Sequence, residues 1–412
     1  MNDFLINAEN VLKDLAEKYK PEGTDFKALV HQWVHALASG SELFAGKRGA
    51  NKKSIIATLK KNDLYEDKES FENQVKNLSH IKPLKEPKFR FIDLFAGIGG
   101  MRIGFQDAGG QCVFSSEWDK YSQQTYLANF GEHPFGDITK ISETDIPDHD
   151  VLVAGFPCQP FSHAGLKLGV DDTRGTLFYD IVRILEHKAP KFALLENVKG
   201  LVSHDNGYTL QLILKTLSSI GYRCNIDKDI IFNGKLSVLQ AEAKQMVLRS
   251  VDFGVPQNRQ RIYIALWNEK KMSMDEFTYP EPVQKKCCVG DILETKCNPK
   301  YTISDRLWEG HLRRKKENKL NGKGFGYGLV TEKSEYTNTI SARYYKDGSE
   351  ILLQQKNKNP RKITPKEASQ LQGFPGGYII SKSDVQAYRQ FGNSVTVPVV
   401  RSIAENISQN LG

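Results

Sequence analysis

The feature that most constrains this chain is a short apolar run that leads into a cysteine held between two prolines. Residues 151–155, Val-Leu-Val-Ala-Gly, have the composition of a buried strand. Cys158 follows in a Pro-Cys-Gln-Pro turn, in which Pro157 and Pro160 each fix the backbone angle φ. Most isolated free cysteines are small buried apolar residues, but a thiol on a stiff turn after a strand is a candidate nucleophile. The sequence therefore predicts a strand that presents Cys158 at its carboxyl end.

A second apolar run carries an acid in an equivalent position. Residues 192–198, Phe-Ala-Leu-Leu-Glu-Asn-Val, form another predicted strand, with Glu196 near its end. Open α/β sheets bind ligands in the crevice beyond the carboxyl ends of parallel strands. If the two strands are parallel, Cys158 and Glu196 share one pocket. The pattern thus predicts an α/β fold with a thiol and a carboxylate in the same site.

The segment Gly155-Phe-Pro-Cys-Gln-Pro-Phe-Ser162, together with Glu196-Asn-Val198, resembles the catalytic motifs of the DNA (cytosine-5) methyltransferases. The resemblance implies that Cys158 attacks C6 of a flipped cytosine and that Glu196 donates a proton to N3. Such an acid needs a pKa raised towards neutrality. Gln159 would belong to the same active site and Ser162 would contact DNA. The polar, glycine-containing loop at 163–175 would close over the flipped base.

Residues 89–119 carry the pattern of a cofactor site. A strand at 89–95 leads into the turn Ala-Gly-Ile-Gly-Gly, and a helix is predicted at 101–108. A second strand, at 111–116, ends in Glu117-Trp118-Asp119. An acid in this position can accept hydrogen bonds from ribose hydroxyls, and Trp118 is either a core aromatic or a ring that stacks on adenine. The glycine turn alone is weak evidence for any nucleotide.

The order of these motifs resembles the S-adenosylmethionine site of the same family, in which Asp137 would accept from the adenine amino group. The implied fold is a Rossmann-like S-adenosylmethionine-dependent methyltransferase sheet, with S-adenosylhomocysteine as the product and no metal. The residues that the resemblance places around the cofactor are Phe95, Gly97, Gly99, Glu117, Trp118, Asp137, Ile138, Pro157, Leu177, Asn393, Ser394 and Val395.

Residues 252–266 contain arginines at alternate positions where a strand begins, so that both project to one face. A surface pair is the ordinary interpretation, but planar donors also suit a phosphate or a carbonyl oxygen. By resemblance, Arg261 holds the target cytosine. Arg259 and Gln257 would support the active site and the backbone around it, with Gln257 in contact with DNA.

Residues 268–360 lose the alternation of strands and helices. The basic run at 311–319 is either a solvated helix face or a phosphate contact. The loop Gly-Lys-Gly-Phe-Gly-Tyr-Gly at 322–328 and the stretch at 337–348 resemble the target-recognition region of Dcm-type enzymes, which act on C-C-(A/T)-G-G. The implied site is this sequence or a related one. The residues expected to contact DNA in this region are Arg343, Tyr344, Tyr345 and Lys346.

A chain of 412 residues can hold two or three domains. We expect a helical accessory domain at 1–86, a catalytic and cofactor-binding domain at 87–268 that 387–412 complete, and a smaller, mostly irregular or β target-recognition domain at 269–386. The basic loop at 47–53 is either a DNA contact or part of a packing module, with packing preferred. Residues 223–250 look like an insertion, with a helix at 238–248, and a solvated excursion is the default interpretation.

The remaining expectations concern partners. The net charge of +8 suits a polyanion such as double-stranded DNA without proving one. The lack of a signal peptide or an apolar span, and six cysteines without metal spacing, favour a reducing cytoplasm. The family resemblance implies a bacterial protein that acts as a monomer, with a possible restriction endonuclease that acts separately. Two alternatives are a tRNA cytosine methyltransferase, which the long region at 270–360 argues against, and an inactive DNA-binding regulator. Intact Cys158, Glu196 and Arg261 argue against the regulator.

Overall fold

The computed structural model describes residues 3–82, 86–156, 177–283, 286–324 and 326–411. The chain divides into two compact units. The first comprises Met1–Val247, Arg261–Pro280 and Arg401–Gly412, and the second comprises Leu248–Gln260 and Glu281–Val400. Within the described ranges, no helix combines the length and the apolar character that a membrane span requires.

The first unit is built on a mixed sheet whose strands lie in the order β2-β1-β3-β4-β7-β5. The β1–β2, β1–β3 and β3–β4 pairs are parallel, whereas β7 runs antiparallel to β4 and to β5. This sheet confirms the predicted α/β class. The strand bounds are β1 Phe89–Leu94, β2 Gly110–Ser116, β3 Val151–Gly155, β4 Phe192–Val198, β5 Tyr222–Arg223, β6 Val247–Arg249 and β7 Gln260–Asn268.

Helices connect these strands as the sequence pattern predicts. The helix expected at 101–108 is α5, Gly100–Asp107, and the one expected after Glu196 is α8, Tyr208–Ser219. The other two are α6, Lys120–Phe130, and α7, Leu177–Lys188. The last residues of the chain, from Arg401 on, also belong to this unit. The Arg401 guanidinium donates to the Asp107 carboxylate, and the Asn406 side chain donates to the Thr278 carbonyl.

Four helices form the N-terminal extension, which we define as residues 3–82: α1 Asp3–Tyr19, α2 Phe26–Ser39, α3 Lys52–Lys61 and α4 Lys68–Lys76. Trp33 and Phe44 of the extension lie in the same buried cluster as Ile92 and Phe114 of the sheet. The extension and the sheet therefore share one hydrophobic core.

The predicted insertion is wrong in two respects. Its helices are α9, Lys228–Asn233, and α10, Leu236–Glu242, so the expected helix at 238–248 starts and ends earlier. It is also no solvated excursion, since Ile231, Leu239 and Met246 are buried in the core of the first unit. An apolar residue on nearly every turn of these short helices explains the packing.

The described part of the second unit contains a three-stranded sheet in the order β10-β9-β8, together with helices. Among these helices, α12 begins after Thr364 in a capping box with Glu367, with a proline at its first position. The bounds are β8 Leu329–Val330, β9 Leu352–Gln355, β10 Lys358–Lys362, α11 Asp305–Leu320, α12 Pro365–Leu371 and α13 Asp384–Asn393, followed by the start of α14, Val397–Leu411.

Candidate active site

The carboxyl end of β1 opens into a turn with an unusual backbone. Phe95, Gly97 and Gly99 all have positive φ, at 57°, 56° and 81°. A side chain at Gly99 is excluded, because a Cβ there would lie 2.2 Å from the ring of Phe130. A Cβ at Gly97 would meet only the Phe95 carbonyl oxygen, at 4.0 Å, so the space over this glycine is open. The backbone at Gly97 is therefore open to close approach on the side where a side chain would point.

Glu117, which follows β2, is fixed by this turn. One carboxylate oxygen accepts from the Gly97 N–H at 2.7 Å and the other accepts from the Asp119 N–H at 2.7 Å. Burial raises the pKa of Glu117 above its ordinary value, while the backbone N–H groups of Asp119 and Gly97 act to lower it. A carboxylate has about four acceptor positions, so hydrogen bonds from ribose hydroxyls remain possible here.

Trp118 directly follows Glu117 in sequence, and the Asp137–Ile138 pair comes later in the chain. Trp118 is 77% exposed, which excludes the core-aromatic interpretation. Asp137 accepts from the Thr139 N–H at 3.0 Å and caps a short 3-10 turn, in which Ile138 is buried. Phe135, two residues before Asp137, is hydrogen-bonded to the end of β2. Its carbonyl accepts from the Glu117 N–H at 2.8 Å, and its N–H donates to the Ser115 carbonyl at 2.9 Å.

Glu196 lies near the carboxyl end of β4, as the sequence predicted. Strands β3 and β4 are parallel and in register, with Gly155 directly opposite Glu196. A Cβ at Gly155 would lie 3.4 Å from a Glu196 carboxylate oxygen, so glycine gives this carboxyl room against the end of β3. The Asn197 side chain donates to the Phe156 carbonyl at 3.0 Å, and this bond fixes the backbone just before residue 157. The sequence motif included Asn197 without assigning it a role.

Arg261 is brought to Glu196 by the antiparallel pairing of β4 and β7. Its Nε lies 3.1 Å from Glu196 Oε1, and the two side chains are only 16% and 12% exposed. Ion pairs this shielded are stronger than surface pairs, because little water screens them. The arrangement yields a carboxyl group and a planar cation held together at the carboxyl end of β4.

Several predicted residues lie outside the described part of the chain: Pro157, Cys158, Gln159, Ser162 and the loop at 163–175. Leu177 is described as the first residue of α7 and packs against the core of the first unit. The last described residues before Cys158 are Gly155 and Phe156.

Gln257 and Arg259 are interior residues of the second unit. Gln257 has no exposed surface, accepts from the Ile340 N–H at 2.9 Å and donates to the Leu371 carbonyl at 3.0 Å. Arg259 is 2% exposed and donates to the Ser394 carbonyl at 2.6 Å. These contacts match the expected support of the backbone, whereas the buried Gln257 side chain has no surface for DNA in this conformation.

The segment at 341–348 is a series of turns in the second unit. Arg343 and Lys346 are exposed and Tyr345 is half-buried. Tyr344 is fully buried, its hydroxyl donating to the Ile351 carbonyl and accepting from the Ile363 N–H, so it anchors the turns from within. Three predicted cofactor residues also lie in this unit, around the end of α13: Asn393, Ser394 and the buried Val395.

Comparison with known proteins gives one family. The family model described as C-5 cytosine-specific DNA methylase matches residues 89–409. The Type II methyltransferase M1.ScrFI of Lactococcus lactis subsp. cremoris is 57% identical over 329 residues, which cover 79% of this chain and 80% of that protein. The Type II methyltransferase M.SsoII of Shigella sonnei is 57% identical over 326 residues, covering 79% and 81%.

Solved structures share the fold at much lower identity. The S. pombe Dnmt2 methyltransferase is 21% identical with a TM-score of 0.59, covering 78% of this chain and 98% of that one. A Dnmt2 from Spodoptera frugiperda is 19% identical with a TM-score of 0.60, covering 77% and 99%. At these identities the likeness bears on the fold alone.

Proposed function

The chain belongs to the C-5 cytosine-specific DNA methylase family and is a DNA cytosine-5 methyltransferase, and from this premise we propose the chemistry of its site. We propose methyl transfer from S-adenosylmethionine to C5 of a flipped cytosine through a covalent bond between Cys158 and C6. The observation that supports it best is the Glu196 carboxyl, which lies opposite Gly155, three residues before Cys158, and 3.1 Å from Arg261.

The described residues fit the proposed cofactor. The open space over Gly97 suits the close approach of a ligand, and the buried Glu117 carboxylate suits ribose hydroxyls. Trp118 offers an exposed aromatic face for adenine and Asp137 offers an acceptor for its amino group. When bound, S-adenosylmethionine supplies an electrophilic sulfonium methyl group.

In the proposed mechanism the Cys158 thiolate forms a bond to C6 while Glu196 gives a proton to N3. The pair of electrons that leaves the C5–C6 double bond makes C5 nucleophilic, and C5 would take the sulfonium methyl group, with neutral S-adenosylhomocysteine as the leaving group. A general base then removes the C5 proton, the C6–S bond breaks to release the Cys158 thiolate and restore the C5–C6 double bond, and N3 returns its proton to Glu196. Arg261 would orient the Glu196 carboxyl and hold the cytosine ring. The target cytosine must first flip out of the duplex, at a cost of about a few kcal/mol.

A trapped adduct tests this chemistry. In 5-fluorocytosine the C5 proton is replaced by fluorine, so that the final elimination fails and the covalent complex persists. Wild-type protein with cofactor and a fluorinated duplex should give a complex that survives denaturing electrophoresis. Cys158→Ser should give none while still binding cofactor. A stable complex with the serine variant would contradict the role of Cys158.

We propose C-C-(A/T)-G-G, or a related site, as the target, read by the exposed Arg343 and Lys346 through guanine edges in the major groove. Two duplexes with the same flanking sequence, one with an A·T pair and one with a G·C pair at the centre of the site, test this directly. Preference for the A·T pair at the centre would support the assignment. Equal methylation of both would remove the central preference, and methylation elsewhere would discard the assignment.

The relatives' names, Type II methyltransferases, support a role in restriction–modification beside a separate endonuclease. We further propose that the protein acts on double-stranded DNA as a monomer, with residues 269–386 as the recognition domain. Light scattering of the protein bound to one duplex site would test the stoichiometry. Two copies on each site would contradict it.

A further inference from the structure

We propose that residues 42–48 of the N-terminal extension are a positioning element for the ribose and adenine side of the cofactor site, with Phe44 as the central residue. The family match begins at residue 89, so nothing in it assigns this segment a role. The inference rests on the proposed cofactor site around Glu117 and Asp137. It concerns contacts within the first unit only.

Phe44 is inserted behind the strand that carries Glu117. Its side chain has no exposed surface, and its ring stacks on Phe114 of β2 at 5.8 Å and 10° between planes. It also packs on Phe135 at 4.4 Å, and Phe114 and Phe135 are 4.9 Å apart. Three rings thus form one cluster, with one member from the extension and two from the cofactor side of the sheet. Aromatic pairs of this kind add about 0.5 to 1.5 kcal/mol beyond burial.

The two partners of Phe44 set the positions of the cofactor residues through the backbone. Phe114 lies in β2, three residues before Glu117. Phe135 continues the sheet edge, because it accepts from the Glu117 N–H and donates to Ser115. Asp137 follows two residues later. A shift of the Phe135 ring would therefore move both the proposed ribose acceptor and the proposed adenine acceptor.

The backbone of Phe44 is itself held tightly by α2. The Gln32 side chain accepts from the Phe44 N–H at 2.8 Å and donates to the Val113 carbonyl of β2 at 3.3 Å. The Trp33 indole N–H donates to the Phe44 carbonyl at 3.1 Å. The Gln32 side chain of α2 therefore bonds both to the backbone of Phe44 and to β2. Such duplicated anchoring suits a rigid support for a site.

A second set of hydrogen bonds and ion pairs joins residues 42–48 to the segment that follows Asp137. The Ala45 N–H donates to the Asp145 carbonyl at 2.9 Å, and Arg48 Nε lies 2.6 Å from the buried Asp145 carboxylate. The Glu42 carboxylate accepts from the Asp148 N–H at 2.8 Å. These bonds join the extension to residues about 100 positions away in the chain. Arg48 is thereby paired within the protein, which favours packing over DNA contact for this loop.

The test measures cofactor binding and turnover of full-length variants. Phe44→Ala should weaken S-adenosylmethionine binding about tenfold, a change of about 1.4 kcal/mol. The turnover number at saturating cofactor should stay within about twofold, since the loss acts on cofactor affinity rather than on the chemical step. Phe44→Leu should recover most of the affinity, because it refills the cluster with a side chain of similar bulk.

Phe71→Ala is the matched control. Phe71 is also a buried phenylalanine of the extension, 2% exposed, but its ring partners are Phe4 and Tyr65. It should lower the melting temperature and leave cofactor affinity unchanged. Arg48→Ala removes a half-exposed side chain without opening the core. If Phe44→Ala fails to fold, cofactor binding by Arg48→Ala therefore tests the inference. We expect it to weaken cofactor binding about threefold, a fraction of the tenfold change.

Two outcomes contradict the proposals in different ways. A wild-type protein that binds no S-adenosylmethionine would remove the proposed cofactor site, and the inference with it. The inference alone would be removed if the wild type binds S-adenosylmethionine, Arg48→Ala leaves that binding unchanged, and Phe44→Ala either leaves it unchanged or weakens it no more than Phe71→Ala does.

Discussion

The substitution Glu196→Gln separates the chemistry of this carboxyl from its place in the fold. Its Oε1 lies 3.1 Å from Arg261 Nε, and both side chains are largely shielded. A glutamine oxygen can still accept from that N–H, so the contact survives as a hydrogen bond from the Arg261 cation to a neutral acceptor. The change from an ion pair to such a bond is worth about 1 kcal/mol. We therefore expect a folded protein with a modestly lower melting temperature.

Turnover should fall far more than stability. An amide cannot donate the proton that N3 requires, and a positioned general acid contributes about 10²- to 10⁴-fold to the rate. This corresponds to about 3 to 5 kcal/mol of activation free energy. The assay is single-turnover transfer of a labelled methyl group to a duplex, with cofactor affinity measured in parallel. Affinity should not change, because Glu196 is on β4 and none of the proposed cofactor residues lies on that strand.

Glu143→Gln is the matched control for this prediction. Glu143 also pairs with an arginine, Arg183, at 2.7 Å, but both side chains are about one-third exposed, at 31% and 29%. Its loss should leave the rate unchanged. If Glu196→Gln methylates DNA within twofold of the wild-type rate, Glu196 is not the acid.

Three further predictions concern stability. Gly99→Ala should lower the free energy of unfolding by about 3 kcal/mol in denaturant titrations, since its Cβ would collide with Phe130 at a positive φ; an unchanged midpoint would contradict this. Burial raises the pKa of Asp93 to about 8, so above about pH 4 the unfolded state holds fewer protons and wild-type stability falls as the pH rises towards 8. Asp93→Asn should therefore be stabilised relative to wild type increasingly from pH 5 to 8, and a constant difference would refute the assignment. Glu367→Ala breaks a buried bidentate pair with Arg361, at 2.7 Å for both bonds, and should cost about 3 to 5 kcal/mol, whereas a loss below 1 kcal/mol would show that the pair is dispensable.

The strand ends of the first unit were predictable because their signals are local. An apolar run of five to seven residues that stops at a glycine or an acid indicates a buried strand and the position of its carboxyl end. The register of Gly155 opposite Glu196 confirms that the carboxyl ends of β3 and β4 lie side by side. The exposure of Trp118 likewise follows from its place between two acids.

What the sequence did not predict depends on contacts between distant residues. The His133 N–H donates to the His31 ring at 2.9 Å across 102 positions, and Phe44 reaches Phe135 across a similar separation. The local hydrophobic periodicity of the sequence does not reveal contacts between such distant residues. The N-terminal extension was therefore expected to be a separate helical domain, although it shares the hydrophobic core of the sheet. Tyr344 is a similar case, because its neighbours Arg343 and Lys346 suggested an exposed segment while its ring is buried.

The most direct test of the central proposal is to map modified cytosines on plasmid DNA incubated with the purified protein and S-adenosylmethionine. The proposal predicts 5-methylcytosine at one cytosine of a single short site, and none with Cys158→Ser. Bisulfite sequencing with an enzyme-free control gives this at the resolution of a single base. Unmodified DNA under conditions where the protein binds its cofactor, or equal modification by the serine variant, would contradict it.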